Sequence, residues 1–272
     1  MKNLWRTAAS VFLLAAALVG CAVSETHAPQ RIALVAPFEG RYREIGYNAL
    51  YAVRLQLAES GLSDRIELLA VDDGGDATSA ALKADALARD SQVIAAIVLG
   101  PYAAQPGVQP AYGDLPVIVA GNWTEAPENG HIFLWSPPNT TDGTLSEPDI
   151  ITLANQEAPL TGGEILALAQ LPQLRPDLNG ITINSLALLP DADFRERYMG
   201  TGLFVPEPTL IATVTYDATG FLLDHITAGI SRNALAARLM SGFSDGYRTG
   251  APVFTYRYTN SGVLVPVDGV VE

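Results

Sequence analysis

The chain has 272 residues, 49% of them hydrophobic and 17% charged, a composition that fits a globular protein and excludes a disordered one. Its net charge of -13, with Lys2 and Lys83 the only lysines, repels nucleic acid and anionic surfaces, so no nucleic-acid partner is expected. A single cysteine excludes an internal disulfide, and three scattered histidines (His27, His131 and His225) offer no metal-ligand spacing.

The chain opens with Lys2 and Arg6, then an apolar run over residues 11–19, then Leu18-Val19-Gly20-Cys21. This is the layout of a secretory signal with a small-residue processing site, and the run is too short to span a bilayer. Leu18 to Cys21 resembles the lipobox of bacterial lipoproteins, which implies cleavage before Cys21, lipidation of that residue, and a protein held at a membrane outside the cytoplasm. Residues 22–30 read as a tether.

A regular pattern follows. Ile32 to Ala36 is a continuous apolar run, as in a strand buried on both faces, and Pro37 ends it. Ala49, Leu50, Val53 and Leu57 fall at helical spacing within residues 44–60, with Gly61 as a stop. A second strand covers residues 66–71, a second helix 78–90, a third strand 93–99, a short helical stretch 106–112 and a fourth strand 116–120. This alternation predicts an α/β fold with a parallel sheet and right-handed crossovers. Residues 131–135 suit another strand, and proline-rich residues 136–148 suit a connector. Residues 149–205 offer helical fragments broken at Pro159, Pro172 and Pro176, with a strand over 181–189. A long helix is predicted over 208–230 and another over 233–240. Two strands, 253–258 and 263–267, flank Asn260-Ser261-Gly262, which suits a hairpin.

Open parallel sheets bind ligands at the carboxyl ends of their strands. That rule selects residues 38–42, 100–105 and 121–124 as candidate binding loops. Within them Arg41 suits an anion. Tyr42, Tyr102 and Trp123 suit an apolar group, and Asn122 and Thr124 supply hydrogen bonds. Gly100 and Ala103 complete the third-strand loop. Arg41 beside Glu39 and Glu44 equally suits a solvated ion pair, and Tyr102 and Trp123 equally suit packing. Asp72-Asp73-Gly74-Gly75-Asp76 lacks the alternating carboxylates of a calcium loop and reads as a surface turn. No Gly-x-Ser-x-Gly, His-Glu-x-x-His, Walker or Gly-x-Gly-x-x-Gly motif occurs, so neither an enzyme nor a cofactor is expected.

Ile32 to Gly40 with its Pro-x-x-Gly loop, Gly46-Tyr47-Asn48-Ala49, Glu67 to Asp73, Val93 to Pro101, Leu115 to Ile118, Thr215-Tyr216-Asp217-Ala218 and Gly242 to Gly262 occur in that order. In this order and spacing they resemble the type I periplasmic binding proteins, in particular the leucine/isoleucine/valine-binding branch of ABC importer lipoproteins. The resemblance implies two α/β lobes around a hinge, with the chain crossing between them three times. It assigns residues 31–124 and 207–243 to lobe 1, and 125–206 and 244–272 to a reduced lobe 2 with a closing hairpin. It implies a monomer that captures a branched-chain amino acid, amide or similar small polar ligand for a membrane permease. Thr124 matches the family's threonine after the fourth strand, whereas Ala103 and Ala104 stand where a hydroxyl residue is expected. That departure and the short second lobe favour the alternative: a non-transporting envelope or sensor lipoprotein that keeps the fold without the clamp.

Overall fold

In the computed structural model, residues 29–124, 127, 130–137 and 149–267 are described. The predicted signal, Cys21 and most of the predicted connector over 136–148 lie outside them. Eleven residues in two strands explain the first sheet. Ile32 to Ala36 of β1 (Gln30–Ala36) and all six residues of β3 (Val93–Val98) are buried. A run with no polar alternation must be covered on both faces. The sheet runs β2 (Ile66–Asp72), β1, β3, β4 (Val117–Ala120) and β5 (Ile132–Trp135) in parallel, in that spatial order, which leaves both of its faces to be covered by the crossover helices.

Helix α1 (Arg43–Ser60) follows β1, and α2 (Ala77–Arg89) follows β2. The first crossover moves outward along the sheet and the second returns past β1, so right-handed connections place the two helices on opposite faces. Gly61 at φ 68 ends α1 in the left-handed conformation that glycine tolerates best. The Asp76 carboxylate caps α2 by accepting the Ser79 amide at 2.9 Å.

A second, four-stranded sheet has the order β11-β10-β7-β6. Its members are β6 (Leu160–Gly162), β7 (Ile181–Ser185), β10 (Phe254–Tyr258) and β11 (Leu264–Pro266). Only β6 and β7 run parallel, and its helices α3 (Ile150–Ala154) and α4 (Leu171–Leu174) are barely one turn long. This is a reduced second lobe. The predicted hairpin at 260–262 forms between β10 and β11, with Gly262 at φ 77.

The lobe boundaries differ from those drawn in the sequence. Strand β5 joins the first sheet beyond Thr124, as does a tight hairpin of β8 (Phe243–Ser244) and β9 (Tyr247–Arg248). Helix α5 (Ala192–Met199) also packs on the first lobe, where Phe194 and Tyr198 meet Ala52 and Leu55 of α1 and Ala212 of α6 (Leu210–Asp224). Helix α6 ends at Asp224, short of Ile230, with His225 as its C-cap; the His225 carbonyl accepts from the Arg238 side chain at 3.1 Å, and Gly229 at φ 68 turns the chain beyond it. The last helix, α7, covers Arg232–Leu239. The chain crosses between the sheets after β5, after β7 and after β9.

Candidate functional site

The lobes meet on two unlike surfaces. The first is a seam at the carboxyl ends of β3 and β4. Glu164, directly after β6, is fully buried there. One of its carboxylate oxygens accepts the Asn122 amide of the first lobe at 2.7 Å. The other accepts the Ser185 hydroxyl of the second lobe at 2.6 Å. Burial pushes the Glu164 carboxyl above the ordinary glutamate range, against the lowering effect of both bonds. The approach is close: a Cβ on Gly163 would lie 2.3 Å from that of Asn122, so only glycine fits.

The predicted residues around this seam are packed and internally bonded. Gly100, Ala103, Asn122, Trp123 and Thr124 are buried, and Tyr102 is half-buried. The Trp123 indole donates to the Ala120 carbonyl at 2.7 Å, and Gln109 donates to the Thr124 hydroxyl at 3.2 Å. The Ala103 carbonyl accepts the Tyr112 hydroxyl at 3.3 Å. The Asn122 amide in the loop after β4 is thus taken by the chain's own carboxylate.

The acidic turn after β2 is also more buried than a surface turn. Asp72 accepts the Phe38 amide at 2.6 Å, while Asp73 is fully buried beneath the Gly100 loop. One Asp73 oxygen accepts the Gly75 amide at 2.9 Å and the other has no partner, and burial pushes the carboxyl up to about 6. No cluster of potential metal ligands occurs among the described residues.

The second surface is a groove of about 790 Å³. Its first-lobe wall comes from Gly40, Arg41 and the first turns of α1, and its second-lobe wall from Ala169, Gln170 and Gln173. Phe204 and Pro206, in the link between α5 and α6, close one side. Gln170 ties the floor by donating to the Arg41 carbonyl at 2.5 Å. The two Glu44 oxygens share the Ala169 amide, each at 3.2 Å, and burial raises the Glu44 carboxyl. Arg43 lines the groove, is exposed, and forms no ion pair with any described residue. Tyr47, Tyr51 and Phe204 add aromatic wall, and the Phe204 ring is 88% exposed at the lip, where it costs solvation unless covered.

Arg41 lines this groove but pairs with Asp149 at 3.1 Å, not with Glu39 or Glu44. The Tyr42 hydroxyl joins the same carboxylate at 2.9 Å, and its ring meets Tyr102 edge-on at 6.2 Å. Burial raises the Tyr42 phenol to about 12. The predicted residues therefore divide: Arg41 faces the groove, whereas Asn122, Trp123 and Thr124 belong to the seam.

No family model and no curated protein matches the chain. Solved structures do. The possible leucine/isoleucine/valine-binding protein of Rhodopirellula baltica SH 1 superimposes with a TM-score of 0.67 at 13% identity, covering 92% of this chain and 100% of that one. LivJ from Streptococcus pneumoniae, a branched-chain amino acid transporter binding protein in complex with isoleucine, gives 0.63 at 12% identity, covering 88% and 99%. The leucine-binding protein LivK of Thermotoga maritima MSB8 gives 0.63 at 14%, covering 88% and 97%. The fold is that of the type I periplasmic binding proteins.

Within the type I binding-protein fold, the residues that sequence reasoning passed over are Arg43, Glu164 and Phe204. Glu164 carried a signal: a lone acid between Gly162-Gly163 and the apolar run Ile165 to Leu168 must be buried and therefore partnered. Phe204 carried one too, as an apolar side chain within a proline-bounded connector.

Proposed function

We propose that this protein is an extracytoplasmic solute-binding protein, lipid-anchored through Cys21, that hands a small zwitterionic solute of the amino-acid class to an ABC-type membrane permease. The observation that carries this reading is the groove lined from both lobes. Arg43 offers an unpaired guanidinium for a carboxylate, and Glu44 offers a carboxylate bonded only weakly for an ammonium. Tyr47 and Phe204 offer apolar surface for a side chain. The solved neighbours add support, since LivJ holds isoleucine and a binding protein from Desulfitobacterium hafniense holds leucine. Capture requires no chemistry beyond binding and a population shift toward the closed lobes.

The test is a calorimetric and thermal-unfolding screen over amino acids, amides and urea at millimolar concentration. A ligand at a hundred times its Kd raises stability by about 2.7 kcal/mol. Arg43→Ala or Glu44→Gln is expected to weaken binding roughly tenfold, each removing one charge-assisted hydrogen bond. Absence of any shift across the screen overturns the reading.

One observation favours a second reading, an envelope or sensor lipoprotein that no longer transports. The Asn122 amide is already satisfied by Glu164, and Ala103 and Ala104 supply no hydroxyl. If that reading holds, wild type shows no ligand shift, and Glu164→Ala does not create one.

A further inference from the structure

Segments from all three crossings between the lobes border a second cavity of about 490 Å³. Trp135 ends β5, Leu186 and Leu189 follow β7, and Ala251 and Pro252 follow β9. No residue of the seam or of the groove lines it. Such a volume suits a small-molecule site.

Helix α6 supplies a polar wall. Thr213, Tyr216 and Asp217 fall at i, i+3 and i+4, so they share the helix face that lines the cavity. Two of them are committed: the Thr213 hydroxyl donates to the Leu210 carbonyl at 3.1 Å, and the Tyr216 hydroxyl donates to Glu59. Asp217 is exposed, and its carboxylate has no hydrogen bond or ion pair with any described residue. Desolvation by the surrounding chain still raises that carboxyl from 3.8 to about 6, with no cation to offset it. A carboxylate that is open to solvent and yet crowded by protein stands on a concave wall. Asp191, which also lines the cavity, is already taken by the Phe194 amide at 2.7 Å.

Charge selects the occupant. Arg197 pairs with Glu59 at 2.6 Å and with Asp193 at 3.0 Å. The head of Arg248 is held by the Gly242 carbonyl at 2.9 Å and stacks 4.7 Å from the Phe221 ring, and neither partner lines the cavity. Counted with their ion-pair partners, the lining residues set four carboxylates against two guanidiniums, which disfavours an anion and favours a cation. The rings of the wall agree. Arg197 stands 5.8 Å from the Phe194 ring and 5.7 Å from that of Tyr216, and Arg248 stands 4.9 Å from Trp135, whereas Phe254 carries no guanidinium. An ammonium has three donors and no acceptor, so a free carboxylate beside an open ring suits it.

We propose that this cavity is a second ligand site, which binds a primary ammonium compound with an apolar body, the ammonium on Asp217 and the body against Leu186, Leu189 and Phe254. The experiment is a calorimetric titration of the full chain with phenethylamine and hexylamine, at a pH well above the range in which Asp217 gains its proton. Phenylethanol is the neutral control and phenylacetate the anionic one. Both amines are expected to bind saturably, phenylethanol at least tenfold more weakly, and phenylacetate not at all. On the ¹⁵N-labelled chain the Trp135 indole resonance should move with the amine, while that of Trp123, outside the cavity, stays in place. Asp217→Asn should weaken binding roughly tenfold by removing a charge-assisted hydrogen bond. Ala251→Trp, which fills the cavity and keeps the carboxylate, should weaken it at least as much. The proposal is overturned by no saturable binding of either amine, by equal binding of phenylethanol or phenylacetate, or by an Asp217→Asn or folded Ala251→Trp protein that binds as wild type does. Binding that survives in Asp217→Asn and is lost in Glu44→Gln would place the amine in the groove and overturn it as well.

Discussion

Glu164 and Glu44 are the same residue type at the same boundary between lobes, and burial pushes both carboxyls upward. They do different work. Glu164 has no exposed surface, and each of its oxygens takes a short bond from a different lobe. Glu44 is half-buried, and its two oxygens share a single amide at 3.2 Å. A carboxylate saturated by its own chain is a fastener, and one left under-bonded in a groove keeps the capacity to accept another donor. What separates the two is the count of committed hydrogen bonds, which residue identity alone does not reveal.

The largest expected effect breaks the fastener. Glu164→Ala strands the Asn122 amide and the Ser185 hydroxyl and leaves a cavity, at a cost of about 4 kcal/mol. Urea unfolding should show it as a lowered midpoint with an unchanged slope. Glu164→Gln keeps the shape and should lose less than half as much. Equal losses in the two variants would mean that the charge, not the bonding geometry, holds the seam.

A smaller effect comes from pH. The folded protein holds the Asp73 proton more tightly than the unfolded chain does, since burial raises this carboxyl from 3.8 to about 6. The associated stability is therefore fully present below pH 3.8 and is lost as pH rises through about 6. The loss amounts to about 3 kcal/mol at about 1.4 kcal/mol per pKa unit. Glu164 adds to the same trend, in the range above the ordinary glutamate value of 4.5. Unfolding curves taken between pH 4 and pH 7 should show the decline, and Asp73→Asn should flatten the part below pH 6. A wild-type profile that rises with pH would reverse the argument.

The smallest effect lies on the groove side. Arg41 and Asp149 are both well exposed, so Arg41→Ala should cost less than about 1 kcal/mol. A larger loss would show that the groove wall is also a fastener.

The first four strands, α1 and α2 are legible in the sequence because continuous apolar runs and helical spacing are local signals. The 260–262 hairpin is legible for the same reason. The hairpin at 243–248 has a sequence signal of its own: Asp245-Gly246, with φ values of 51 and 82, is a two-residue turn of the kind hairpins favour. Strand β6, three residues long, carries too little pattern to read. For the site, the loop holding Arg41 follows from the rule for strand ends, and the groove uses that residue. The pairing of Glu164 with Asn122 spans 42 positions and is set by how the two sheets stack, so no local pattern reports it.

The Glu164 seam also bears on what a partner can read. In a two-lobed trap, apparent affinity is set by the fraction of molecules already in the competent state. On the proposed function, an internal carboxylate that joins the lobes would raise that fraction before any solute arrives, so the solute would spend little of its binding energy on closure. The same property flattens the difference between loaded and empty forms. A membrane partner that recognised closure alone would be engaged continuously, and discrimination would have to come from contact with the solute itself.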